Sequence, residues 1–236
     1  MKFVTKTYVS SQLKYWQRQR ELEGGDGSDG LHPFIVLSRE YGCNGTEIAN
    51  AVAKIFNEEY NANPNWAVYD NQIINQLSKD MGFSKELAET LAFNTRNQLT
   101  EFFRFIFSKL PSTVIVYKEL SEIIRTLAIK GNVIIIGRGG NLITQDMRMG
   151  FQVKIIAHLE WRINNLMKKY HMKKEAAEKV ISEKESGNKD VFSQVFKYDI
   201  MNPNNYHLTI NAAKYTKDQI AHLIIDGMKV KGLIKN

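Results

Sequence analysis

The sequence predicts an α/β fold: a mostly parallel five-stranded sheet with helices on both faces. Three observations carry this prediction. Five short, β-branched-rich apolar runs alternate with segments of helical periodicity. The runs are continuously apolar, as strands covered on both faces are. The chemistry-bearing positions, the loop after Leu37, Asp70 and Arg138, fall at the ends of those runs, where open α/β sheets bind ligands. A chain of 236 residues, 43% hydrophobic and 24% charged, has enough apolar material for one ordinary core and is neither disordered nor collagen-like.

The first segment, residues 1–30, reads as an appendage. Val9, Leu13 and Trp16 recur at near-helical spacing and Arg18 and Arg20 follow, which predicts a short amphipathic helix. Gly24 to Gly30 is a glycine- and acid-rich linker that sustains neither helix nor strand. The helix is expected to dock on its own domain or to serve as a homo-oligomer contact. The main domain then runs over residues 31–236.

Phe34–Leu37 predicts the first strand, and Ile48, Ala49, Val52, Ile55 and Phe56 mark one face of the helix after it. Trp66–Tyr69 predicts the second strand, with Asp70 placed to cap the helix carrying Ile73, Ile74 and Leu77. From Ser84 to Lys130 the pattern is a long helical insertion, closed by Gly131-Asn132. Val133–Ile136 predicts the third strand and Gly137-Arg138-Gly139-Gly140 a sharp turn. A fourth strand over 151–157, helices over 160–170 and 173–184, a fifth strand over 207–210 and a helix capped by Thr216 complete the chain.

The segment Ser38 to Glu47, SREYGCNGTE, joins the first strand to the first helix. Backbone N–H groups and a helix N-terminus at such a junction favour an anion, although an ordinary glycine-rich turn uses the same residues. The segment departs from G-x-x-x-x-G-K-[ST]. The slot before the helix where that pattern carries lysine holds no basic residue, and Glu47 stands near the position of the magnesium-binding hydroxyl.

The string Ile35 to Ala49 resembles the opening of the cytidylate kinase-like family. In order along the chain, Tyr69-Asp70, Ile135 to Ile143, Leu159 to Ile163 and Asn205 to Asn211 resemble its later blocks. The resemblance implies a P-loop NTPase-like three-layer sandwich with a lid segment. It also implies a kinase transferring the γ-phosphoryl group of ATP to a nucleoside monophosphate such as CMP or dCMP, with Mg²⁺. On that implication Arg39, Tyr41, Gly42, Cys43, Asn44, Gly45 and Thr46 wrap the donor phosphates, and Glu47 or Asp70 holds Mg²⁺. Arg138 then binds the acceptor phosphate or the transferring group, with a structural ion pair as its simpler alternative.

In those kinases the segment corresponding to residues 162–189 is a lid bringing arginines to the phosphate. Here Arg162 would contact the donor, while the acid-and-arginine block is Glu183 to Lys189 and holds Lys184 and Lys189 instead. Lysine supplies charge without the bidentate fork. A kinase-derived module that binds nucleotide without turnover is therefore the rival expectation.

The net charge of +7 favours an anionic partner; phosphate is expected ahead of nucleic acid, and no membrane partner is expected. The opening residues lack the apolar core of a leader, so a soluble, cytoplasmic protein is expected. Five scattered histidines lack metal-ligand spacing. Cys43, the single cysteine, sits near a helix N-terminus, which can lower a thiol pKa.

Overall fold

The computed structural model describes residues 15, 18, 32–70, 72–74, 95, 101, 115–137, 139–196 and 198–235. Five strands, β1 (Phe34–Arg39), β2 (Ala67–Tyr69), β3 (Val133–Ile136), β4 (Gly150–Ile156) and β5 (Leu208–Asn211), form one sheet. Their order is β2-β3-β1-β4-β5, and every pairing is parallel. The helices are α1 (Gly45–Glu58), α2 (Ile115–Lys130), α3 (Gly140–Ile143), α4 (Leu159–Tyr170), α5 (Lys174–Phe196) and α6 (Lys217–Val230).

Continuous apolar runs became central strands because both faces of the sheet are covered. Ile35, Leu37, Val153 and Ile155 pack with the buried faces of α1 and α6, whereas Phe34, Val36, Val133 and Ile135 pack with α2 and with Tyr15. Residues 15 and 18 are helical, and the rest of the expected appendage and linker lies outside the described residues. So does nearly all of the expected insertion before residue 115.

The element bounds shift from expectation for identifiable reasons. β1 continues through Ser38 and Arg39 because they pair with Lys154 and Ile155 of β4. Trp66 leaves β2 because its backbone is held by the Asn57 amide, which accepts from Trp66 N–H at 2.7 Å and donates to its carbonyl at 3.0 Å. α5 runs to Phe196 rather than stopping at Lys184, since one interior glycine, Gly187, costs only about 1 kcal/mol against alanine. On its exposed face Lys179 pairs with Glu183 at 4.0 Å. Thr216 caps α6 in a reciprocal capping box with Gln219.

The strand order fixes where a ligand belongs. The connection leaving β1 leads to β2 on one side of the sheet, and that leaving β4 leads to β5 on the other. Connections diverge between β1 and β4, so the crevice opens at their carboxyl ends. No helix among the described residues is long and apolar enough to cross a membrane.

Candidate functional site

The loop at the end of β1 is built from both sides of that crevice. Glu40 N–H donates to Ile155 O at 3.0 Å, and Cys43 N–H returns to Glu40 O at 3.3 Å. The turn so closed requires a left-handed residue, and Gly42 supplies it at φ 97°. Asn44, also left-handed at φ 54°, then launches α1 without a side-chain cap on its N–H groups. The first turn of α1 is thus left for an external acceptor.

Beneath the loop lies Arg162 of α4, only 7% exposed. Its Nε donates to Ala157 O at 3.0 Å, and one terminal nitrogen donates to Tyr41 O at 3.2 Å and to Glu185 of α5 at 2.5 Å. Glu40 lies 3.6 Å from the same guanidinium and accepts Ala157 N–H at 3.0 Å. Asn165 donates to Gly42 O at 2.6 Å and accepts from the Asn44 amide at 3.2 Å. Lys169 pairs with Glu47 and reaches Asn44 Oδ1 at 3.4 Å. α4 and α5 have their own small core of Ile163, Leu166, Ala177 and Ile181, against which Tyr41 packs.

On the other side, Gly137 N–H donates to Leu37 O at 3.1 Å and draws the turn after β3 against β1. Gly140 sits where a Cβ would come within 3.0 Å of Val36 Cγ1. Buried Asn141 donates to the Tyr198 hydroxyl at 2.9 Å. Tyr206 donates to Ile200 O at 2.8 Å; burial raises its pKa, and neighbouring Ser38 and Asn141 moderate the rise.

The structure therefore gathers Arg39, Tyr41, Gly42, Cys43, Asn44, Gly45, Thr46, Glu47 and Arg162 around one loop. Arg39 folds its aliphatic stem over Gly45, and the contacts that hold Arg162 are with protein groups. Asp70 ends β2, two strands from β1, or roughly 10 Å across the sheet. Its Oδ1 accepts Gln72 N–H at 2.9 Å and Ile73 N–H at 3.0 Å. Lys184 is exposed on α5. Arg138 lies outside the described residues, as does the side chain of Lys189.

Two features depart from sequence expectation. Burial, reinforced by Glu40, pushes the Cys43 thiol up to about 12, the reverse of the shift expected beside a helix N-terminus, so the thiol is inert as a nucleophile at neutral pH. Sequence reading also passed over Lys154 of β4, which is 6% exposed and stands in an otherwise mostly apolar run. Burial lowers its pKa, while the carboxylates of Glu40 and Glu185 oppose the shift. The visible signal was a lysine interrupting a strand predicted to be covered on both faces.

The donor set suits a polyphosphate: an uncapped helix N-terminus with cations near it. For a magnesium ion, which binds through one or two carboxylates and keeps several waters, Glu47 offers a buried Oε2 without a hydrogen-bond partner. Its other oxygen faces Lys169. The described residues hold no cluster of three or more His, Cys, Asp or Glu side chains that could hold a metal ion.

A parallel sheet with a glycine-bearing strand-to-helix loop at its point of divergence, covered by a helical hairpin, defines a P-loop kinase-like α/β protein. The model of the cytidylate kinase-like family matches residues 34–214, and the chain belongs to that family. A crystal structure of an uncharacterized protein from Eubacterium ventriosum ATCC 27560 is similar to it with a TM-score of 0.64 and 16% identity, over 84% of this chain and 99% of that one. That likeness shows the fold. No curated protein matches the chain.

Proposed function

We propose that the protein is a phosphotransferase that moves the γ-phosphoryl group of ATP to a nucleoside monophosphate, CMP or dCMP being the acceptors the family suggests. The observation that carries this reading is the uncapped start of α1 behind Gly42 and Asn44, set at the β1–β4 divergence with the Gly137–Gly140 turn beside it.

In the reaction an acceptor phosphate oxygen forms the new P–O bond as the bond between the γ-phosphorus and the β–γ bridging oxygen breaks, releasing ADP. Catalysis of this kind is mainly positioning and charge stabilisation. The first-turn N–H groups of α1 receive the donor phosphates, and Glu47 Oε2 takes Mg²⁺ or one of its waters. When bound, Mg²⁺ neutralises charge on the phosphates. Arg138, Lys184 and Lys189 are proposed to serve the acceptor and the transferring group, and Asp70 remains an alternative metal carboxylate.

A coupled ADP-release assay over a panel of nucleoside monophosphates tests the proposal. Acceptor-dependent ADP release supports it, and folded protein with Mg²⁺ that turns over none of them removes it. A second reading, a nucleotide-binding module without turnover, is favoured by the engagement of Arg162 and Lys169 with Glu185 and Glu47. It predicts thermal stabilisation by ATP with no product.

A further inference from the structure

The loop from Gly42 to Glu47 contains no basic residue, so a bound phosphate draws its cations from outside that stretch, Arg39 at the end of β1 being one of them. The two basic side chains of α4 nearest the loop already face carboxylates: Arg162 holds Glu185, and Lys169 holds Glu47.

Lys154 differs from both. It lies on β4 level with Ser38, the residue before Arg39, on the two strands whose connections diverge. Alternation places it on the same sheet face as Gln152, whose side chain donates to Thr144 at 2.9 Å beside the C-terminus of α3. That is the face of the turn after β3. Lys154 is 6% exposed, yet among the described residues its ammonium meets only Ile200 O at 3.1 Å and the Met201 thioether at 3.8 Å, with Tyr206 as a ring neighbour. Among the described residues no carboxylate lies within ion-pair distance of it. An ammonium has three donors, and a charge out of water without a close counter-ion is costly. A phosphate arriving in the crevice supplies that counter-ion.

The geometry points to Lys154 as a phosphate-binding residue that replaces, from the neighbouring strand, the lysine absent from the loop. This rests on the nucleotide reading above and adds a residue that the reading does not require. On ligand arrival the ammonium turns from the Ile200 carbonyl toward the phosphate, which couples the turn at residues 199–202 to occupancy of the site.

Calorimetric titration of the full chain with ATP and with inorganic tripolyphosphate tests this, comparing wild type with Lys154→Met and Lys154→Gln. Met removes the charge at similar volume, and replacing a buried charge by an apolar group is often neutral or stabilising. Gln keeps a donor for Ile200 O, and it serves in place of the Met variant should that variant not fold. The expected result is wild-type binding of both ligands and a loss of tenfold or more for each in the folded variants, with melting temperature in the absence of ligand unchanged or raised. Folded variants that bind as the wild type does overturn the role of Lys154 and leave the nucleotide reading standing. Wild type that binds neither ligand overturns both.

Discussion

The Arg162 guanidinium meets Glu185 at 2.5 Å from a side chain only 8% exposed, and the same guanidinium holds the carbonyls of Tyr41 and Ala157. One side chain thereby ties α5, the loop after β1 and the end of β4 together. Removing one partner of a buried pair leaves the other uncompensated, at a cost of about 3–5 kcal/mol. Arg162→Ala should lose stability in that range. Glu185→Gln, which keeps an acceptor and is nearer solvent, should lose about half as much or less. Urea unfolding of both variants measures the two costs; equal losses would show that the carbonyl contacts contribute little.

Gly42 leaves its mark on the same contact. At φ 97° it has the left-handed backbone that L-residues avoid, and a Cβ there would stand 2.9 Å from Arg162 Cβ and 3.1 Å from its carbonyl oxygen. Gly232 has φ 73° with nothing within 4 Å, so it isolates the backbone component, about 1–2 kcal/mol. Gly42→Ala should therefore destabilise more than Gly232→Ala, by a further 1 kcal/mol or more, roughly the cost of an overpacked contact. ATP affinity should also fall in the first variant alone. Equal unfolding midpoints for the two would place the loop farther from α4 than described.

How much of this was legible in the sequence follows from what each feature depends on. The five strands were legible because burial on both faces writes itself as runs such as Val133–Ile136, and the loop was legible because a strand, glycines and a helix succeed one another locally. Pairings across the fold were not. Glu47 and Lys169 stand 122 residues apart, and Tyr41 and Arg162 stand 121 apart, so nothing local in the chain announces that these basic side chains are engaged at the loop. Lys154 needed the register with Ser38 to acquire meaning. The shortening of β2 depended on the Asn57 amide, whose hold on Trp66 no propensity encodes.

A pH dependence of stability is written at the rim of β4 and β5. His207 Nδ1 accepts Gln152 N–H at 2.9 Å, and the ring stacks on Phe151 with centroids 5.5 Å apart. Its partial burial, helped by Lys231, lowers the imidazole pKa. Between that lowered value and the unfolded value near 6.5 the unfolded chain binds more protons, so stability rises with pH. The melting temperature should fall as pH drops from 7.5 to 5.5. His207→Asn, whose carbonyl accepts the same N–H, should show a shallower slope over that interval. The ring is partly exposed, so the difference is small. Parallel slopes for wild type and variant would assign the pH dependence to other groups.

Asp70 combines a structural task with a proposed chemical one, and two substitutions separate them. Its Oδ1 accepts the N–H groups of Gln72 and Ile73, an N-cap whose loss typically costs about 1 kcal/mol; Oδ2 takes no part in that cap. Asp70→Ala should lose about that much in urea unfolding, whereas Asp70→Asn, an equally good cap, should stay within about 0.5 kcal/mol of wild type. The conservative variant then isolates the charge, because the helix start is preserved while a hard anionic oxygen is replaced by a neutral amide. A tenfold or greater drop in ADP release by Asp70→Asn at unchanged stability assigns Oδ2 to the metal or one of its waters. Unchanged turnover makes the cap its whole role and leaves Glu47, with its orphaned Oε2, as the carboxylate for magnesium.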